Sequence, residues 1–560
     1  MRCHVSFENG GVPEVEADVV VVGAGAAGLM AALTASDAGA RVVVVEKTDK
    51  LGGTAAVSGG VVWIPNNHHM PRVDISDSRE EALAYVRRLA DGRSEDGPLG
   101  AFIDTAPAML RFLEARTSLR LQPLGVYPDY HPEFAGGRTG GRSLDPGLFD
   151  INRLNEWKNT LRRGPLHGSA ALTVAEAAEW GAFTRPRELP VKLLTERARQ
   201  GLVCYGAALA GGLLEALVQR GVELLPGVAG RELVADARRV VGLRAERAGR
   251  SVRLGARRGV ILASGGFEWN KSLAARFLSG PLTHPLSPPA NEGDGLMMAM
   301  ALGADLGNMS EAWWCPALAI PGESYEGQPL SRADFSARCL PHSILVNRAG
   351  RRFANEAQNY NDLVKAFFTF DPVNYERPNL PAWLIVDQNF RDRYALGNLL
   401  PGAATPPWLA KADSLEELAR RIEISPEGLV DTVRRFNPPA LQGVDPCFHR
   451  GGSAYERFHG DRAHQPSPNL GPIERPPFHA LQVFVGALGT KGGVRVDANA
   501  RVLRVDGTPI DGLYAAGNVM ASVMGAGYPG AGSTLGAAMT FGFIAARHAV
   551  GAQAHQGGAA

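Results

Sequence analysis

Asp18-Val19-Val20-Val21-Val22-Gly23-Ala24-Gly25-Ala26-Ala27-Gly28 decides the fold. Four consecutive valines read as a short strand buried on both faces. The GxGxxG that follows opens an Ala/Leu-rich helix, Gly25–Asp37, ended by Gly39, and Arg41–Val45 reads as a second buried strand. Glu46 ends that strand 18 residues after Gly28. This βαβ grammar predicts a dinucleotide site. Gly23, Gly25 and Gly28 allow a tight turn, and Ala26 and Ala27 open the helix whose N-terminus receives a pyrophosphate. The Glu46 carboxylate accepts from ribose hydroxyls and disfavours a 2′-phosphate.

Three further segments choose between a nicotinamide and a flavin dinucleotide. Lys47-Thr48 leads through Gly52-Gly53-Thr54-Ala55 to Ser58-Gly59-Gly60. Gly259–Gly266 is a strand with a glycine turn, in which Gly265 faces the cofactor. Gly512–Asn518 is another, ending in Gly517-Asn518. A compact nicotinamide domain has no use for these. A long FAD lying across a sheet does, and they add Lys47, Gly53, Thr54, Ser58, Gly59, Gly60, Gly265, Gly517 and Asn518 to the expected cofactor contacts.

The rest of the composition bounds the function. Fifty-eight Lys and Arg against 57 Asp and Glu leave a formal charge of +1, which points away from nucleic acid and anionic membranes. Sixty-seven glycines in 560 residues are roughly 12%, against about 7% in an average protein. Five scattered cysteines, with no CxxC or Cys/His ligand spacing, argue against zinc, haem, iron–sulfur clusters and disulfide staples, so no metal is expected. The apolar run Val19–Ala35 is broken by glycines and lacks a basic lead, so it is read as neither signal nor membrane span. The expectation is a soluble, cytoplasmic protein without a transmembrane segment.

Along the chain, residues 1–15 read as a frayed lead-in and 551–560 as a disordered tail. Residues 76–120 and 150–220 read as mostly helical, and 127–146 as loop. The segment 222–262 has a period of two and reads as a meander that begins with Val222–Leu225. His68 and His69 are expected on the surface of a loop.

Four longer strings carry a family resemblance. They are Ser58–Asn67 (SGGVVWIPNN), Asn347–Glu356 (NRAGRRFANE), Leu488–Gly493 (LGTKGG) and Met524–Gly536 (MGAGYPGAGSTLG). Through these the chain resembles the flavoproteins of the succinate dehydrogenase and fumarate reductase family, and within them the 3-ketosteroid Δ1-dehydrogenases. The resemblance implies an α/β fold: a discontinuous Rossmann-like FAD domain, about 15–318 and 489–555, with an inserted α+β substrate domain, about 319–488. Covalent members carry a histidine in the segment matching Gly52–Ala55; none stands here, so noncovalent FAD is expected.

The resemblance also assigns roles. Tyr528 and the Gly532 amide are expected to hold a 3-keto oxygen, with Tyr360 as the base that takes the C2 proton while C1 gives hydride to flavin N5. Elementary chemistry agrees: removing hydrogen beside a carbonyl needs a base, donors on the enolate oxygen and a hydride acceptor. Ser533 is expected to cap the helix from Leu535 to Ala549, whose positive end faces the flavin. Family members have Tyr-Tyr-Pro where this chain has Asp129-Tyr130-His131-Pro132, which puts His131 at the helper position; a proton relay and a plain loop residue both remain open there. The implied reaction is 1,2-desaturation of a 3-ketosteroid in steroid metabolism, with electrons passing to a separate quinone, oxygen or carrier. A Δ4-(5α)-dehydrogenase, a fumarate-reductase-like enoate reductase and a non-catalytic flavin binder are the rival readings.

Overall fold

The computed structural model describes residues 14–165 and 171–551. Its first sheet has eight strands. Glu14–Val22 lies at the centre, parallel to Val42–Glu46 on one side and to Arg250–Leu262 on the other. Val19, Val20 and Val21 are wholly buried, which is why the strand is apolar at every position rather than at alternate ones. It is longer than the valine run predicts, because Glu14–Ala17 continue the ladder opposite Arg253–Ala256. The sequence pattern ended at Asp18, where the apolar run ends. The expectations for residues 1–13 and 552–560 fall outside the described residues.

The segment 222–262 is a meander only in part. Ala229–Asp236, Arg239–Arg247 and Arg250–Leu262 are antiparallel neighbours. Glu223–Pro226, by contrast, runs parallel to Val42–Glu46 at the sheet edge. Period-two alternation identifies a strand but not its partner. Arg250–Leu262 then continues past the hairpin, and its last residues pair in parallel with Leu513–Ala515 of the late strand Pro509–Ala515. The final helix, Ser533–Ala549, crosses the first helix, Ala26–Asp37, so closely that a Cβ on Gly542 would lie 2.4 Å from the Ala27 carbonyl.

A second, seven-stranded sheet is built around Phe478–Thr490. Ala312–Tyr325 and Ala382–Val386 flank it in antiparallel register. Ala312–Tyr325 runs through the 318/319 boundary expected from sequence and Phe478–Thr490 through the 488/489 one, so neither expected boundary falls between elements. The loop expected at 127–146 contains a short strand, Ser143–Asp145, paired with Val62–Trp63. Of the two histidines expected on the surface, His68 is partly exposed and His69 is not a surface residue. Both imidazoles are bonded through Nε2 to the Glu114 carboxylate, at 3.0 and 2.8 Å, and His69 is buried.

Candidate active site

A cavity of about 1050 Å³ runs between the two sheets. At one end the glycine-rich turn forms its floor. Gly28 lets the helix close on the strand: a Cβ there would sit 1.9 Å from the Gly23 carbonyl oxygen. Gly25 has nothing within 4 Å of a Cβ position, leaving open space above the helix N-terminus. Lining the cavity there are Gly23, Gly25, Ala26, Ala27, Glu46, Lys47, Gly53 and Thr54. Ser58, Gly59, Gly60, Gly265, Gly517, Asn518 and Leu535 line it further along. Gly28 and Ser533 do not; they shape it from behind.

These residues fit a dinucleotide in shape and in donor set, with qualifications at three of them. Glu46 already accepts from the amide of Ala24 at 3.1 Å and from Thr48 at 3.0 Å, so it fixes the turn as well as facing the cavity. The Lys47 ammonium is held by Glu292 and Asp294 at 2.8 and 2.7 Å, which commits its charge to protein rather than to phosphate. Ser58 braces its own loop, donating to Ala55 O at 2.7 Å and accepting from the Gly60 amide at 3.0 Å.

At the other end three phenols meet from three distant segments. Tyr130 comes from the loop before Ser143, Tyr360 is the first residue of the helix Tyr360–Phe367, and Tyr528 precedes the final helix. The Tyr130 and Tyr360 hydroxyls are 2.6 Å apart. The rings of Tyr130 and Tyr360 lie with centroids 5.0 and 5.4 Å from that of Tyr528. All three are nearly inaccessible, at 3–4% exposure. Burial pushes each hydroxyl above the ordinary phenol range, so all three are protonated at neutral pH. Thr534, which sequence reasoning did not single out, donates to the Tyr528 oxygen at 3.1 Å and leaves the phenolic proton free to point into the cavity.

Gly532 is left-handed, with φ +94°, and a Cβ there would lie 2.3 Å from the Val61 carbonyl oxygen, so both the backbone and the close approach require glycine. Its own carbonyl accepts from Trp63 N, and its N–H has no partner among the described residues. Gly532 is also the N-cap of the final helix. Ser533 therefore lies inside the first turn, and its hydroxyl donates back to Gly530 O at 3.0 Å instead of capping.

His131 is not at the base. Its ring bonds Asp362 at 2.8 Å and Glu133 at 3.1 Å, and it does not line the cavity. It is Tyr130, one residue earlier, that reaches Tyr360. Adjacent residues in extended backbone point to opposite sides, so alignment of a string cannot say which of the two faces inward. Despite the loss on burial, the bonds to Asp362 and Glu133 carry the imidazole up to about 9. Tyr127, also missed, lines the cavity beside Tyr130.

Comparison with known proteins places this geometry. A family model described as an FAD binding domain matches residues 18–535. A 4-oxocyclohexanecarboxylate 2-dehydrogenase of Sinomonas cyclohexanicum is 43% identical over 549 residues, covering 97% of this chain and 94% of that protein. A 3-oxosteroid 1-dehydrogenase of Mycobacterium tuberculosis is 40% identical over 561 residues, covering 95% and 98%. The crystal structure of 3-ketosteroid Δ1-dehydrogenase from Sterolibacterium denitrificans in complex with 1,4-androstadiene-3,17-dione superposes with a TM-score of 0.88 at 38% identity, covering 96% of this chain and all of that one. With its βαβ floor, its glycine turns and its buried phenols, the chain belongs to the FAD-binding oxidoreductases that include the 3-ketosteroid Δ1-dehydrogenases.

Proposed function

We propose that the chain desaturates the α,β-bond of a cyclic ketone, and specifically the 1,2-bond of a 3-ketosteroid. The observation that carries this is the meeting of the Tyr360, Tyr130 and Tyr528 phenols with the Gly532 amide on one wall of the cavity whose floor is the dinucleotide turn. Tyr528 and the Gly532 N–H hold the ketone oxygen and stabilise the enolate that forms when the α-proton leaves. Thr534 keeps Tyr528 oriented as a donor. FAD, when bound, supplies the acceptor for the hydride that leaves the β-carbon.

Tyr360 takes the α-proton. As a protonated phenol it must give up its own proton in the same step, and the Tyr130 oxygen at 2.6 Å is the recipient. Tyr130, itself protonated, releases its own phenolic proton in turn to Tyr127, which is partly exposed at the cavity wall and hands its proton to solvent. We assign the phenol chain, not His131, as the way out for the proton. Residues 319–488 form the substrate-covering unit in this reading, and the electron acceptor is a separate molecule.

The test is conversion of androst-4-ene-3,17-dione to the 1,4-diene with a dye acceptor, beside fumarate with reduced dye. A phenol and one amide suit a single ketone oxygen rather than two carboxylates, so fumarate reduction faster than any steroid turnover refutes the reading. The 43% identity to an enzyme named for 4-oxocyclohexanecarboxylate supports a second reading with the same chemistry on a single ring. A higher kcat/KM for that keto acid than for the steroid selects it.

A further inference from the structure

Beneath the Tyr528 loop lies a lysine that the reaction above does not use. Lys491 is fully buried, and its ammonium donates to the carbonyls of Ala526 at 2.9 Å and Gly527 at 2.7 Å, the two residues before Tyr528. It also lies 4.6 Å from the centre of the Trp313 ring, which in turn packs on Tyr528 with centroids 4.6 Å apart. The same Ala526 carbonyl receives two more donors, Lys365 Nζ at 2.8 Å and Asn361 Nδ2 at 3.4 Å. Both come from the helix that begins with Tyr360. One carbonyl thus joins the loop of the oxyanion donor to the helix of the base.

From this convergence we infer that Lys491 is a positioning residue for Tyr528, and that Lys491, Lys365 and Asn361 together clamp the donor and the base in register across the cavity. The inference rests on the function proposed above. A buried cation without a direct carboxylate partner is costly, and the site keeps it on two main-chain carbonyls. Burial, with the Lys365 charge, brings the ammonium down to about 7. Glu311, which pairs with Lys365 and Arg93 at 3.5 and 3.1 Å, and Asp362 oppose that fall. A misplacement of about 1 Å at a reacting group costs on the order of 10²-fold, so a clamp of this kind acts on rate rather than on flavin binding.

The test is a double-mutant cycle on the holoenzyme, with flavin absorbance reporting FAD content. Lys491→Met is expected to lower kcat/KM for androst-4-ene-3,17-dione by roughly 10- to 100-fold with FAD retained. Lys491→Gln, which keeps an N–H donor, restores part of the loss. If Lys491 acts through Tyr528, the same substitution in a Tyr528→Phe background costs about threefold or less. An equal cost in both backgrounds overturns the inference. Should Lys491→Met fail to hold FAD, Lys365→Met removes an outer donor from the same carbonyl and must show the same non-additivity with Tyr528→Phe; additivity there also overturns it. Amide hydrogen exchange over 524–532 decides the matter independently of substrate. Faster exchange in these variants supports the clamp, and an unchanged rate refutes it. A wild-type enzyme that turns over no cyclic ketone refutes the function instead, while the exchange result still stands.

Discussion

Tyr130→Phe separates the proton route drawn here from the one that the sequence suggested. The substitution keeps the ring and its contacts with Tyr360 and Tyr528 and removes one oxygen, 2.6 Å from the Tyr360 hydroxyl. Both residues are nearly inaccessible, at 3% and 4% exposure. A hydrogen bond to a group that carries developing charge is worth ~1.5–3 kcal/mol. At 1.36 kcal/mol per decade that slows the proton step by roughly 10- to 150-fold. Tyr360→Phe removes the base itself and should cost roughly 10²- to 10⁴-fold. His131→Gln keeps a donor toward Asp362 and leaves the phenol pair untouched, so it should cost less than either. The assay is washout of α-deuterium from the ketone in the absence of an electron acceptor, followed by mass spectrometry, because exchange needs only the base and the enolate. The order of effect is Tyr360→Phe, then Tyr130→Phe, then His131→Gln. A slower exchange in His131→Gln than in Tyr130→Phe refutes the phenol route, and undiminished exchange in Tyr360→Phe refutes the base.

Tyr528→Phe should lower kcat by about 10²- to 10³-fold and raise KM, because its hydrogen bond to the ketone exists before as well as during enolisation; exchange should persist, slowed, through the Gly532 amide. The His131–Asp362 pair should make stability depend on pH: the imidazole rises from 6.5 to about 9 on folding, so its contribution, up to ~3 kcal/mol, is fully present below pH 6.5 and lost as pH rises through 9. The denaturant midpoint of His131→Gln should then fall below wild type at pH 6 and approach it at pH 9.5, and a gap independent of pH would count against the pair. Acid or heat should release all FAD from the precipitated chain, since no histidine stands at Gly52–Ala55; flavin that stays with the polypeptide contradicts this.

What could be read from the chain alone was whatever depends on neighbours in sequence. The valine run, the GxGxxG turn and Glu46 announce a strand, a phosphate-binding helix start and a ribose acceptor, because each is set by backbone geometry over a few residues. The roles expected of Tyr528 and Gly532 came from the family resemblance that the string Met524–Gly536 carries, and both residues line the cavity. What sequence could not decide was direction and partnership between remote segments. Whether Tyr130 or His131 faces the base depends on how a loop is seated against a helix some 230 positions away. Ser533 loses the capping position because Gly532, left-handed and pressed against Val61, takes it and leaves Ser533 as the first residue of the helix. Lys47 is committed to two carboxylates nearly 250 residues distant, and Lys491 lies under Tyr528 only once both sheets are in place. Local steric rules write the turns, whereas burial and charge pairing across the fold choose which side chains meet in the cavity.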